Sequence, residues 1–159
     1  LGEHNVRNLL AVIAAVCAMG HDFEKACAVC ASLEPVPGRM QSITKPAAPM
    51  AVVDYAHTPD AVERVLAAVR KVATGRVIGV LGCGGDRDRT KRAAMGMALN
   101  DGCDLPIFTS DNPRSESPEI ILQEVLFADQ QPVPVVMREL STLHPLKNNR
   151  VYFVQIDFV

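Results

Sequence analysis

The sequence predicts an α/β protein: an open, mostly parallel sheet with helices on both faces, preceded by two helices outside it. Three observations predict it. After Gly38, short apolar runs alternate with longer segments of helical periodicity, the pattern of βαβ units. Three of those runs end in charged or Gly-rich residues: Asp54-Tyr55-Ala56-His57-Thr58-Pro59-Asp60, Gly82-Cys83-Gly84-Gly85-Asp86-Arg87-Asp88-Arg89, and Asp111-Asn112-Pro113-Arg114. Before all of them, Pro35-Val36-Pro37-Gly38 breaks a purely helical stretch and reads as a linker.

Each element has its own signal. Asn5 is a candidate N-cap for a helix running to about Met19, and Gly20 suits the position after its end. That helix is apolar nearly all round, which predicts burial against a partner surface. Asp22 caps a second helix, expected over residues 23–33. Residues 50–55 form a strand. Thr58 as N-cap and Pro59 at the first helical position then start a helix to about Ala73, with Gly75 beyond it. A strand is expected at 76–81, a helix at 91–99 and a strand at 105–109. Pro118 opens a helix to about Phe127, and strands follow at 133–137 and 151–156.

Composition narrows the function. The chain has 159 residues, 48% of them hydrophobic and 21% charged, enough for one domain with a core and part of a second. A net charge of -2 gives no reason to expect nucleic acid or an anionic membrane as partner. Residues 9–19 are apolar but too short to span a bilayer. They also lack a signal-peptide cleavage pattern, and Glu3, His4 and Arg7 precede them. The chain looks intracellular and its five cysteines are odd in number, so free thiols are expected. Cys27-Ala-Val-Cys30 matches C-x-x-C without a second pair at finger spacing. Two thiols one turn apart on a helix is the better reading.

The loops carry the chemistry. In an open parallel sheet, ligands bind beyond the carboxyl ends of the strands. Three such loops would gather Asp54, His57, Arg87, Asn112 and Arg114 around one crevice. The Gly82-x-Gly84-Gly85 turn approaches a dinucleotide fingerprint, but the third glycine position holds Arg87, whose bulk would obstruct a pyrophosphate. No G-K-[ST] follows, so it is not a P-loop. Asp54 could accept from ribose hydroxyls or help hold a hydrated metal, and His57 could contact phosphate. The plain structural alternative is that Asp54 and Thr58 cap the next helix. Asp111-Asn112-Pro113-Arg114 is a turn by composition. Asn112 and Arg114 could also bind the charged ends of an amino acid, because Arg forms bidentate carboxylate contacts and Asn both donates and accepts.

Taken together, these motifs resemble the Mur ligase family. The resemblance begins at His4-Asn5-Val6-Arg7-Asn8. It continues through Pro37-Gly38-Arg39-Met40, the Asp54 to Asp60 run, the Gly-rich loop and Lys91-Arg92, and ends at Asp111-Asn112-Pro113-Arg114. Ordered motifs taken together are far more specific than any one. The resemblance implies a Rossmann-like amino-acid-binding domain over residues 38–159, atypical from about 127. It makes residues 1–37 the last part of a central ATPase domain. It implies an ATP- and Mg2+-dependent cytoplasmic ligase of peptidoglycan synthesis that joins meso-diaminopimelate to UDP-N-acetylmuramoyl-dipeptide. By resemblance, Asn5, Asn8, Arg39, Asp54 and His57 serve ATP. Arg87, Asp111, Asn112 and Arg114 serve the incoming amino acid, with Arg114 matched to the extra carboxylate of diaminopimelate. No catalytic residue is assigned with them. The family's P-loop, metal-binding carboxylate and carbamylated lysine do not occur in these residues, so the chain reads as a fragment, inactive alone. Two other readings compete: a non-catalytic ligand-binding or regulatory module, and a nucleotide-dependent oxidoreductase based on the Gly-rich turn.

Overall fold

A computed structural model describes residues 3–34, 36–46, 48–126, 135–137 and 150–155. Two helices come first, α1 (Glu3–Ala18) and α2 (Phe23–Cys30). Helix α1 already includes Asn5, which therefore does not cap it. Its far end is as expected. Gly20 sits at φ 91°, its N–H donates to Cys17 O at 2.9 Å, and the His21 N–H reaches back to Val16 O at 3.3 Å. These two bonds satisfy carbonyls that the helix end would otherwise leave open. Asp22 caps α2 by accepting from the Lys25 N–H at 2.9 Å. The helix stops at Cys30, three residues before the sequence predicted.

Among the described residues the sheet has six strands: β1 (Gln41–Ile43), β2 (Met50–Asp54), β3 (Arg76–Leu81), β4 (Leu105–Thr109), β5 (Val135–Met137) and β6 (Arg150–Gln155). Their order is β1-β2-β6-β3-β4-β5. All neighbours pair in parallel except β1, which runs antiparallel to β2 with Ser42 opposite Val52. The sequence missed β1, a three-residue edge strand that leaves no readable periodicity. Strand β6 was expected, but not its place. It lies between β2 and β3, with Val52 opposite Phe153 on one side and Ile78 opposite Tyr152 on the other. Ile156 and residues 133 and 134, also expected as strand, lie outside the described residues.

Helices α3 (Pro59–Val72), α4 (Thr90–Gly102) and α5 (Pro118–Leu126) connect β2 to β3, β3 to β4 and β4 to β5. The three crossovers step across the sheet in one direction, and right-handed connections of that kind put their helices on one face. Accordingly α3 packs on α4, and α4 on α5. The connection from β5 to β6 steps back the other way and lies outside the described residues. Helix α3 begins where predicted: Thr58 Oγ1 accepts the Ala61 N–H at 3.3 Å, with Pro59 in the first turn. It buries Val62, Val65, Leu66 and Val69 against Val52, Val77 and Leu99. Each such side chain contributes about 1.5–3 kcal/mol on leaving water. Strand β3 is buried from Val77 to Leu81, as expected of an interior parallel strand. Helix α4 lies so close to it that a Cβ on Gly79 would stand 2.5 Å from Leu99 Cδ1.

Because β2, β3 and β4 are parallel, their carboxyl ends share one edge. The loops after Asp54, Leu81 and Thr109 therefore meet there. Among the described residues, no helix is long and apolar enough to cross a membrane.

Candidate functional site

The loops after β3 and β4 interlock. The Gly85 N–H donates to Asn112 O at 2.9 Å, and Arg114 Nη1 returns a bond to Gly85 O at 2.6 Å. Asp86 and Arg114 both adopt left-handed backbone, at φ 52° and 48°. That conformation costs a non-glycine residue energy, and here hydrogen bonds hold it. The Asp86 carboxylate accepts the Ser115 hydroxyl at 2.6 Å and the Ser115 N–H at 3.2 Å, while the Asp86 N–H donates to Glu116 Oε1 at 2.6 Å. The Arg114 N–H closes the turn on Asn112 Oδ1 at 3.3 Å. The fit leaves no room for a side chain at Gly85, where a Cβ would fall 1.8 Å from Pro113 O. Glycine is needed at this position for the approach of the neighbouring loop.

Beside this joint is a cavity of about 290 Å³. Its walls include Tyr55 and His57 after β2, the 82–84 turn, and Arg87, Asp88 and Lys91 leading into α4. Among the described residues, no hydrogen bond or ion pair engages the Arg87 side chain. The Asp88 carboxylate is turned to Thr90, accepting its hydroxyl at 2.6 Å and its N–H at 3.1 Å, and these bonds hold it below the usual carboxylate range. Asp88 thus closes a turn on Thr90 rather than pairing with Arg87, and with Arg87 and Lys91 in its walls the cavity presents net positive charge. His57 Nδ1 lies 3.0 Å from Tyr55 O. A carbonyl only accepts, so Nδ1 carries the proton.

A second cavity, of about 800 Å³, lies between the helical pair and the sheet domain. Asn5, Asn8, Arg39 and Asp54 all line it. Asp54 is buried and accepts the Met40 N–H on Oδ2 at 2.8 Å, while Met40 sits at φ 46°. The carboxylate therefore fixes the turn that carries Arg39, whose guanidinium lies over the Tyr55 ring at 5.2 Å. Tyr55 in turn contacts the His57 ring, with centroids 5.1 Å apart. Arg39 and His57 both contact Tyr55 yet line different cavities.

Residues 38–145 match the family model described as Mur ligase, glutamate ligase domain. The chain belongs to the Mur ligase family. Among relatives of this Mur ligase chain is the UDP-N-acetylmuramoyl-L-alanyl-D-glutamate–2,6-diaminopimelate ligase of Gloeobacter violaceus, 49% identical over 127 residues. Ligase 2 of the same name from Clostridium acetobutylicum is 46% identical over 124 residues. Those matches cover 79% and 78% of this chain, and the chain spans 26% of the length of each relative. A solved structure of a protein with that ligase name superposes with a TM-score of 0.67 at 33% identity, covering 98% of this chain and 33% of the other. The fold also matches a bifunctional folylpolyglutamate synthase/dihydrofolate synthase from Yersinia pestis complexed with AMPPNP and Mn ion. That match has a TM-score of 0.57 at 23% identity and covers 77% of this chain and 28% of the other.

In this Mur ligase chain the expected residues divide between two cavities rather than around one crevice. Asn5, Asn8, Arg39 and Asp54 come together, while His57 joins Arg87 in the smaller cavity. Asp111, Asn112 and Arg114 line neither of these two cavities: Asn112 and Arg114 lie in the loop that braces the Gly-rich turn, and Asp111 packs against Gly82. No cluster of His, Cys, Asp and Glu among the described residues could hold a metal, and all five cysteines are free thiols. The sequence reading missed Arg92, which is 2% exposed and donates to Glu116, Glu124 and Gly84 O. A signal for it exists. Arg92, Met95, Gly96 and Leu99 follow the i, i+3, i+4, i+7 spacing of a buried helix face, and a cation at the head of that stripe needs buried partners.

Proposed function

We propose that this chain is the amino-acid-binding part of an ATP-dependent ligase that joins meso-diaminopimelate to UDP-N-acetylmuramoyl-dipeptide. Residues 38–159 form the amino-acid-binding domain in this reading, and residues 1–37 belong to the end of the ATPase domain. One observation carries it: Arg87, free of protein partners among the described residues, stands at a positively charged cavity beside the interlocked loop that holds Asn112 and Arg114. An amino acid with two carboxylates suits such a set, since each guanidinium can take one carboxylate. The names of the relatives point to the same substrate.

The larger cavity fits a nucleotide. Asn5 and Asn8 offer amides to the base, Arg39 offers a cation to the phosphates, and Asp54 Oδ1, not engaged by any described residue, can accept a ribose hydroxyl. ATP supplies the phosphoryl group that activates the substrate carboxylate for attack by the amine, and Mg2+ would accompany it. A nucleotide-sugar substrate implies a cytoplasmic setting. His57 lines the smaller cavity with its Nδ1 turned to Tyr55 O, which leaves Nε2 for a ligand.

The test is calorimetric titration of the 159-residue chain with meso-diaminopimelate and with L-lysine. Saturable binding of diaminopimelate, lost in Arg87→Ala, is the expected result. Equal binding of both, or of neither, overturns the reading.

A further inference from the structure

Arg92 is the first-turn residue of α4 that points inward. Its Nη1 donates to Glu116 Oε2 at 2.8 Å and to Glu124 Oε2 at 2.5 Å. Its Nη2 donates to Glu116 Oε1 at 2.7 Å and to Gly84 O at 3.1 Å. One side chain thereby ties together the Gly-rich turn, the loop after β4 and helix α5. Glu116 extends the joint, because its Oε1 also takes the Asp86 N–H at 2.6 Å. Arg89 adds a second ion pair to Glu124 from the exposed side. A buried cation is tolerated only where charge and hydrogen bonds compensate it, and here two carboxylates do so.

From this geometry we infer that Arg92 is a positioning residue, a buried clamp that sets the Gly-rich turn against the Asn112–Arg114 loop and so fixes the spacing between Arg87 and Arg114 at the amino-acid site. The role in ligand recognition rests on the function proposed above; the clamp itself rests on the contacts alone. All four N–H groups of Nη1 and Nη2 are spent on protein acceptors and only the buried Nε is left over, so Arg92 borders the cavity as a brace rather than as a reader of the ligand. Lysine cannot replace it. An ammonium is a point donor, whereas the planar guanidinium forks across a carboxylate and still reaches a carbonyl.

The experiment uses the 159-residue chain and its Arg92→Lys variant, with amide hydrogen exchange as the first readout. Exchange at Gly85 and Asp86 is expected to quicken by about tenfold or more, while Val80 in β3 and Ile107 in β4 stay within about twofold, because local opening is separable from global unfolding. The affinity for meso-diaminopimelate should fall by about tenfold in parallel. Should Arg92→Lys fail to fold, Glu124→Gln removes one arm only and should give a smaller change of the same sign. Unchanged loop exchange would overturn the clamp, as would a uniform rise that includes Val80 and Ile107. Fast loop exchange in the variant, in a wild-type chain that binds no diaminopimelate, would uphold the clamp and overturn the ligand reading instead.

Discussion

Arg114 has two jobs within reach of one guanidinium. Nη1 is committed to Gly85 O, yet the remaining donors are not. In an intact ligase, Arg114→Ala should lower kcat/KM for diaminopimelate by roughly 2–5 kcal/mol if the side chain reads the extra carboxylate. That corresponds to a factor of about 30 to several thousand, with little change in the slow reaction of lysine. An equal loss for both amino acids would leave Arg114 as a brace for the loop alone. Glu116 makes a pH prediction. Its hydrogen bonds from Arg92, then from the Asp86 N–H, hold the carboxyl at about 2 rather than its ordinary 4.5. A carboxylate whose folded pKa is depressed stabilises the fold fully above its unfolded pKa and loses that contribution as pH falls through the folded value. Thermal melts should therefore weaken from about pH 4.5 down to about pH 2, and Glu116→Gln should flatten that part of the profile. Asp54 and His57 were legible because a strand-end loop advertises them, whereas Arg39 came only with the family resemblance. That Arg39 and His57 both pack on Tyr55 was not legible, since it depends on contacts between segments apart in the chain.

At the scale of elements, glycine contacts set the spacing. A Cβ at Gly96 would stand 2.2 Å from Val125 O, so the backbones of α4 and α5 approach closely there. Gly85→Ala and Gly96→Ala should each destabilise by about 1–3 kcal/mol, as crowding a filled space does. The two should differ in kind: Gly85→Ala disturbs the loop joint and ligand binding, whereas Gly96→Ala lowers stability with the joint intact. Chemical denaturation with diaminopimelate titration separates them. Thr58→Ala, which removes the α3 cap, should cost about 1 kcal/mol without touching the cavity walls. These caps and turns are local chemistry, which is why α2, α3 and the αL glycine at position 20 could be read from sequence. Strand β1 could not, because three residues leave no periodicity and its pairing with β2 joins positions such as Gln41 and Val53 that are apart in the chain.

At the scale of the molecule, the first helix is the unusual feature. Val6, Leu10 and Val12 are 58%, 61% and 56% exposed, although the sequence made α1 apolar enough for a buried element. The chain alone should bind a hydrophobic dye, and Leu10→Glu with Val12→Glu should reduce that signal. A wild-type chain that leaves the dye dark would contradict this exposure. ATP turnover by these 159 residues alone should be undetectable in an ADP-release assay, because the sequence contains no P-loop run. The fold class was readable from alternation of periods, but the order of strands was not, because a parallel register is set between segments far apart. Strand β6 shows what that means in time. Among the described residues it is the last strand in sequence, yet it pairs with both β2 and β3. Until it arrives, synthesis leaves two half-sheets, each with an open edge, side by side and unjoined. A ribosome stalled before residue 150 would hold a chain poised for wrong pairing. A version ending at residue 149 should collect in inclusion bodies rather than fold into a smaller sheet.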